Sequence, residues 1–207
     1  MTPNVKIHPT ALVEQPYRQF QGGKNPVGII YRAGRFGDRV SIGAGAVVGR
    51  GVVLDDGVVV DHQCIIEPNA TIGRNTLLIY RAIVGGDAVI GEDCVIGGFI
   101  PEECVIGANC RVFGYLVHRQ DNTMEPWDEH ETSECSTRVH DYSFIGFGAV
   151  VAGGVSIGPR SYVCAGSTII RDVPPQHIAF GYNRIVPASE WEGLLARNPI
   201  FQSPGGV

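Results

Sequence analysis

Apolar residues recur at every sixth position over a long central stretch of the chain. The series comprises Phe36, Ile42, Val48, Leu54, Val60, Ile66, Ile72, Leu78, Val84, Ile90 and Ile96. If these residues are position one of a six-residue unit, position two is often Gly and position five is small or β-branched, as at Val40 and Ala46. A period of six fits neither an α-helix nor a simple strand. It predicts a short strand followed by a turn, repeated along the chain.

Six-residue units of this kind are typical of a parallel β-helix. Three units would close one triangular coil of about 18 residues, and successive coils would pair strand on strand roughly 4.8 Å apart. Positions one and five are predicted to point inward, and Gly at position two to allow a tight corner. Each coil would bury its apolar face only against its neighbours, so the coils would stabilise one another.

The period is interrupted in three places. Residues 14–35 are rich in turn-forming residues and are predicted to be a loop insertion. At 97–101 the register slips, which we interpret as four extra residues, and the position one that follows Val112 then falls on His118. Residues 118–138 are polar and without period, and a loop of this length in a compact domain is usually functional or disordered. The period resumes at Val139 and continues to Ile169.

The chain is therefore predicted to form one all-β domain over residues 1–187. Ser189 and Glu192 form a capping-box pattern, and Pro199 would end the helix. This pattern predicts a short helix over about 190–197, within a helical extension of residues 188–201. Residues 202–207 are predicted to be a disordered tail.

Composition and charge exclude several classes of function. The net charge is −5 with 18% charged residues and no basic stripe, which argues against nucleic-acid binding. No apolar run approaches the roughly 18 residues of a membrane span, and the first residues lack a signal segment, so we expect a cytoplasmic protein. Four of the six cysteines, Cys64, Cys94, Cys104 and Cys110, occupy position five, where we expect buried, reduced thiols rather than metal ligands.

The segments Ile42–Val47 (IGAGAV) and Ile90–Val95 (IGEDCV) resemble the hexapeptide-repeat transferase superfamily. The resemblance covers roughly residues 5–187 and implies a left-handed parallel β-helix; the hand comes from it alone, because ordinary crossovers are right-handed. Residues 171–175 (RDVPP) resemble the closing segment of its acyltransferases, whereas residues 182–184 depart from it.

This resemblance implies the activity and the assembly. It implies transfer of an acetyl or other acyl group from coenzyme A to a hydroxyl or amine of a small polar acceptor, such as a sugar, a nucleotide sugar or a secondary metabolite. It also implies a homotrimer with active sites between subunits, because a closed cyclic assembly would cover the flat sides of the column.

Three histidines are candidates for the general base, because imidazole changes charge near neutral pH. His118 is the first choice: it stands at the mouth of the long loop, and LVHR at 116–119 resembles the I-H-R of acyltransferases acting on UDP-N-acetylglucosamine. His62 lies in DHQCI at 61–65, which resembles the H-D-C-x-I of sugar-nucleotide N-acetyltransferases, but Gln63 replaces the carboxylate. His140 occupies position two where the repeat restarts.

The resemblance also implies how coenzyme A is held. Backbone contacts to the pantetheine arm fall on Ala165 and near Gly148 and Gly153, and Arg171 stands near the adenosine phosphates. A surface charge with no ligand is the plain alternative for Arg171.

The long loop offers candidates for contact with the acceptor. Trp127 is suited to stacking on a sugar or aromatic acceptor, although packing of the loop on a neighbouring coil is equally compatible with the sequence. Asp121 and Glu125 are among the acidic residues that would orient the base or bind an acceptor amine.

Two other hypotheses for the function remain open. One is a non-catalytic scaffold or binding module of the same fold. The other is a relative of the γ-class carbonic anhydrases, which would need three converging histidines around zinc. The sequence has no pair of histidines five residues apart, which that family uses, so we expect no metal site.

Overall fold

The computed structural model describes residues 4–15, 33–120 and 134–201, which form three sheets of short strands around one core. Within these residues the first sheet has ten strands, the second eight and the third seven. The first sheet consists of Lys6–Ile7, Ser41–Ile42, Val59–Val60, Leu77–Leu78, Val95–Ile96, Arg111–Val112, Phe144–Ile145, Tyr162–Val163, His177–Phe180 and Arg184–Pro187. The second consists of Leu12–Gln15, Val47–Gly49, Ile65–Ile66, Ile83–Val84, Phe99–Ile100, Tyr115–Leu116, Val150–Val151 and Thr168–Ile169. The third consists of Arg35–Phe36, Val53–Leu54, Thr71–Ile72, Val89–Ile90, Val105–Ile106, Arg138–Val139 and Ser156–Ile157.

Successive coils stack in register, as the period predicts. Val48 pairs with Ile66 in a parallel arrangement, and both side chains are fully buried. The small residues at position five are buried beside them, for example Ala46 and Ala70. The inward placement of positions one and five is therefore confirmed, and the core is one continuous column.

Two positions of the repeat, four and two, shape the corners in different ways. Position four adopts a left-handed conformation, as at Asn75 with φ 56° and Gly57 with φ 72°. Gly at position two serves close approach instead: a Cβ atom on Gly73 would lie 2.6 Å from the carbonyl carbon of Gly91 in the next coil. Gly at position two therefore contributes to the corner by letting neighbouring coils touch, and not by adopting the left-handed conformation.

We name the edges of the column by the sheets that they join. The first edge joins the first and second sheets, the second edge joins the second and third, and the third edge joins the third and first. An ordinary corner has four residues between strands, such as 79–82 on the first edge. This corner carries two outward turn residues, Tyr80 and Arg81.

Two consecutive corners on the first edge are shorter than the rest. Only Gly97–Gly98 and Phe113–Gly114 separate the strands there, while the pairing of Phe99 with Ile83 and with Tyr115 continues across them. The predicted insertion of four residues at 97–101 is wrong, because the corner has instead lost two. The second short corner brings Leu116, not His118, into the buried position one.

The long loop leaves the column as an antiparallel pair of short strands. Arg119–Gln120 pairs with Glu134–Cys135, and the chain re-enters the third sheet at Arg138–Val139. The strand Leu12–Gln15 runs into the predicted insertion 14–35, and Arg35–Phe36 follows it. The interior of both loops and the predicted disorder of 202–207 lie outside the described residues.

The C-terminal extension is helical, but in short pieces. It forms three 3-10 helices, Ala188–Glu190, Leu194–Arg197 and Pro199–Phe201. The single helix predicted over 190–197 does not form, because Trp191 is extended (φ −77°, ψ 120°) and Gly193 has φ 124°. The ring of Trp191 packs edge-on against Phe180, with 5.0 Å between centroids.

The four position-five cysteines are buried, as predicted. Burial raises the pKa of the Cys64 thiol to about 11 and that of Cys104 to about 12. The Cys104 thiol donates to the carbonyl oxygen of Thr137 in the next coil at 3.1 Å. These thiols are therefore part of the core.

Candidate active site

The three candidate histidines lie on three different edges of the column. His62 follows a strand of the first sheet and stands on the first edge. His118 follows the second sheet and stands on the second edge, and His140 follows the third sheet and stands on the third edge. One chain therefore does not bring them together, and each has to be judged by its own surroundings.

His118 is half-buried, and its Nε2 atom is shielded from solvent. Leu116 pairs with Val151, and extending this register by two residues places His118 beside Gly153 of the following coil. On the other side Tyr115 pairs with Phe99, and extending that register by three residues places His118 beside Glu102. The antiparallel pair that carries the long loop begins at the next residue. His118 therefore stands at the root of the loop, in a partly enclosed position.

His62 is exposed, and its ring already accepts a hydrogen bond. The backbone N–H of Ala44 donates to Nδ1 at 2.9 Å. In the neutral imidazole the proton then resides on Nε2, which faces Asp61 Oδ1 at 3.9 Å. The basic lone pair is thus occupied, so this geometry favours a structural role for His62 over that of a general base.

His140 is exposed and contacts a hydroxyl group. Its Nε2 atom lies 3.1 Å from Oγ of Ser156 on the outer face of the third sheet. Asp172 Oδ1 accepts from the backbone N–H of Ser156 rather than from the imidazole. The carboxylate therefore holds the serine backbone and does not orient the His140 ring.

Two further histidines are held by local contacts. His8 Nδ1 lies 3.0 Å from the hydroxyl of Thr10. His177 Nδ1 donates to the carbonyl oxygen of Pro175 at 2.8 Å. We predicted neither as the base, and these contacts are those of turn-stabilising side chains.

The four residues predicted to hold coenzyme A divide between two edges. Gly148 and Ala165 lie on the first edge in adjacent coils, and Gly153 and Arg171 lie on the second edge. Arg171 is exposed, and its guanidinium donates to the carbonyl oxygen of Asn183 at 3.0 Å. The second sheet separates the two pairs within one chain.

Gly148 and Ala165 belong to a strip of the first edge, completed by Gly166, that has no large outward side chain. We call it the bare strip. A Cβ atom on Gly148 (φ 69°) or Gly166 (φ 67°) would meet nothing within 4 Å. The same turn position accepts Gln63 and Arg81 at φ 59°, so the backbone conformation does not require Gly there. With the exposed Ala165 between them, these residues leave open space where other coils carry a side chain.

The predicted acceptor contacts Trp127, Asp121 and Glu125 lie outside the described residues. Among the residues that the structure does describe, no group of three or more His, Cys, Asp or Glu side chains is placed to hold a metal ion. No helix in the same residues is long and apolar enough to cross a membrane.

A shallow groove of about 580 Å³ runs along the third edge, away from His118. Its walls carry an ion pair between Arg35 and Asp55 at 2.6 Å and another between Arg74 and Glu92. The charges on its walls are therefore largely paired with each other, and it contains none of the predicted site residues.

One feature of the first edge was not predicted. The two short corners leave a recess there, with the exposed rings of Tyr80 on one side and Phe147 on the other. The signal in the sequence is an interval of four, instead of six, between Ile96 and Ile100 and again between Val112 and Leu116.

Two segments match sequence models of hexapeptide-repeat families. Residues 35–61 match the family described as "Hexapeptide repeat of succinyl-transferase", and residues 136–171 match "Bacterial transferase hexapeptide (six repeats)". The Bifunctional protein GlmU of Francisella tularensis subsp. tularensis (strain WY96-3418) is 33% identical over 88 residues, which is 42% of this chain. The chain spans 17% of the length of that relative.

Solved structures match over more of the chain. The UDP-N-acetylglucosamine acyltransferase from Campylobacter jejuni has a TM-score of 0.50 at 18% identity and covers 87% of this chain and 73% of its own. Another UDP-N-acetylglucosamine acyltransferase has a TM-score of 0.50 at 21% identity, over 76% of this chain and 70% of its own. These matches define the fold as a left-handed parallel β-helix. The two segments that match hexapeptide-repeat models coincide with the repeats seen in the sequence, as the resemblance led us to expect.

Proposed function

We propose that this protein is an acyltransferase that moves an acetyl or other acyl group from coenzyme A to a hydroxyl or amine of a small polar acceptor. The observation that carries the proposal is the half-buried imidazole of His118 at the root of the long loop, beside Gly153. His62, the main rival, already uses its basic lone pair.

In the proposed reaction His118 takes the proton from the acceptor while the acceptor oxygen or nitrogen attacks the thioester carbonyl. A carbon–oxygen or carbon–nitrogen bond forms, and the resulting oxyanion needs an N–H donor, which the backbone of a glycine-rich turn would supply. The carbon–sulfur bond then breaks, and the thiolate of coenzyme A leaves with the proton that His118 holds.

The names of similar proteins support our choice of the class of acceptor. GlmU is a match by sequence, and two similar solved structures are called UDP-N-acetylglucosamine acyltransferases. We extend acyl transfer to this chain and favour a sugar or nucleotide sugar as the acceptor. Trp127, Asp121 and Glu125 of the long loop stay our candidates for contact with it.

The geometry of one chain favours a site between subunits of a homotrimer. The bare strip at Gly148 and Gly166 is on the first edge and His118 is on the second. The width of the second sheet, about five residues or roughly 15 Å, separates these edges. His118 of one subunit and the strip of its neighbour would together form the site, with Gly153 and Arg171 at its border.

Calorimetric titration with acetyl-CoA and with CoA tests donor binding first. Turnover is then measured as release of the CoA thiol in the presence of UDP-N-acetylglucosamine and other sugar acceptors. We expect binding near one site per subunit and a large loss of turnover in His118→Ala, with His62→Ala close to the parent protein. Absence of binding of both ligands would refute the acyl-CoA donor.

A subunit-mixing experiment tests the shared site. Gly148→Gln would fill the strip without changing the turn, because Gln63 holds the same conformation. His118→Ala and Gly148→Gln should each be inactive alone. After mixing and reassembly, some interfaces would combine two intact halves, and activity should return. If subunits are shown to exchange but mixing restores no activity, the site lies within one chain.

A further inference from the structure

The recess on the first edge is a gap in a continuous row of turns. Coils on either side carry two outward turn residues, Tyr80–Arg81 before the gap and Phe147–Gly148 after it. The corners Gly97–Gly98 and Phe113–Gly114 lack these residues. Two missing turns leave an opening of roughly two coil spacings, about 10 Å along the column. We call this opening the notch.

Aromatic rings border the notch, and two of them are largely exposed. A Cβ atom on Gly97 would lie 3.0 Å from Cδ2 of Tyr80 and 2.9 Å from Cδ1 of Phe113, so both rings lie against the floor. Tyr80 is nevertheless 69% exposed, and Phe147 on the opposite side is 70% exposed. An aromatic ring that is largely exposed at the border of a recess can stack against another planar ring.

A cation stands next to this platform. Arg81 follows Tyr80 in the same turn and is exposed. No carboxylate pairs with its guanidinium among the residues that the structure describes. On a chain with a net charge of −5, a guanidinium that has no carboxylate partner in the described part of the chain and stands beside aromatic rings attracts an anion that carries a planar group.

We propose that the notch binds a nucleotide, with its base stacked on Tyr80 and enclosed by Phe147 and its phosphate paired with Arg81. The exposed rings would stack against the base, and the guanidinium would form an ion pair with the phosphate. The bare strip at Gly148 begins at the far side of the notch and offers room for the rest of an extended ligand.

The choice of nucleotide rests on the proposed function. An acyl-CoA donor would bring an adenine nucleotide, and a sugar-nucleotide acceptor would bring a uridine nucleotide. Both share the chemistry of base and phosphate, so ADP and UDP are the probes, with CoA as the larger adenine ligand. Which probe binds in the notch then identifies the source.

The test is calorimetric titration of each probe into the full-length protein and its variants. Tyr80→Ala and Phe147→Ala should each weaken binding about tenfold, the typical effect of removing one stacking ring. Arg81→Gln should weaken binding and reduce its dependence on salt, and Gln63 shows that Gln fits this turn position. Tyr182→Ala is the matched control, because Tyr182 is 71% exposed but lies two coils beyond Phe147.

Tyr80→Leu keeps an apolar side chain but has no aromatic ring. It therefore separates the loss of stacking from the loss of stability that the alanine variant could cause. Unchanged dissociation constants in Tyr80→Leu and Phe147→Ala, or no binding of any probe, would overturn the proposal. A change in oligomeric mass in these variants, with nucleotide affinity unaltered, would assign the notch to a second copy of the chain and also overturn it. If UDP binds in the notch but acetyl-CoA neither binds nor reacts, the proposal stands and the acyl-CoA donor fails.

Discussion

The buried thiol of Cys104 makes the stability of this protein sensitive to alkaline pH. Burial raises the pKa of Cys104 from 9.0 to about 12 in the folded chain. The folded state therefore keeps its proton where the unfolded chain loses it. The stabilising contribution is complete below pH 9 and is lost as pH rises from 9 towards 12.

The size of the effect follows from these two values. At pH 10 the unfolded thiol is about ten times more often deprotonated than protonated, while the folded thiol stays protonated. This difference favours unfolding by about 1.4 kcal/mol relative to pH 8, where the folded and the unfolded thiol both keep their proton almost completely. Cys104→Ala removes the titrating group, and Ala70 and Ala88 occupy the same buried position in the two preceding coils.

Urea unfolding of the parent protein and of Cys104→Ala, at pH 8 and pH 10 under a reducing agent, measures the effect. Lysine and tyrosine titration is common to both proteins and cancels in the comparison. The free energy of unfolding of the parent protein should fall about 1.4 kcal/mol more than that of Cys104→Ala. Parallel pH dependences in the two proteins would refute the assignment of Cys104 as a protonated core thiol.

Three further changes test the site and the core. His118→Ala should lower the rate of thiol release about 10²- to 10⁴-fold in steady-state assays, whereas His62→Ala should stay close to the parent. Gly148→Gln should weaken binding of acetyl-CoA at least about tenfold in calorimetry, because it fills open space, and should cost about 1 kcal/mol of stability, because the left-handed conformation is strained for residues other than Gly. Leu78→Ala should cost about 2–5 kcal/mol in urea unfolding, whereas Leu194→Ala, at an exposed position, should cost little.

The period of six was enough to predict the fold because burial repeats with it. Ile42, Val48 and Leu54 fall in three different sheets, yet each fills the same buried position in its own strand. A short strand needs only one large inward residue and one small one at the next corner. The order of the sheets and the inward positions could therefore be predicted from the sequence, and the hand from the resemblance.

The irregular corners could not be predicted, for an arithmetic reason. In a period of six, gaining four residues and losing two shift the register by the same amount. The sequence between Ile96 and Ile106 therefore fits either description, and only the pairing of Phe99 with Ile83 and Tyr115 shows that residues are missing. For the same reason the sequence predicted that the position one after Val112 falls on His118, whereas Leu116 occupies this buried position.

The site itself depends on distances that the period does not encode. Which edge a residue occupies is set by its position within a coil of three units, and the two short corners change that count for every later residue. Gly148 and His118 thus fall on different edges although both follow the same interruption.

A β-helix has no internal cleft, so its chemistry has to arise where the repeat is interrupted and where another copy of the chain covers an edge. In this chain the departures are the long loop, the bare strip and the notch, and all three lie along or beside the second sheet. That concentration is why we look for catalysis at the borders of this sheet and not at the charged groove on the third edge.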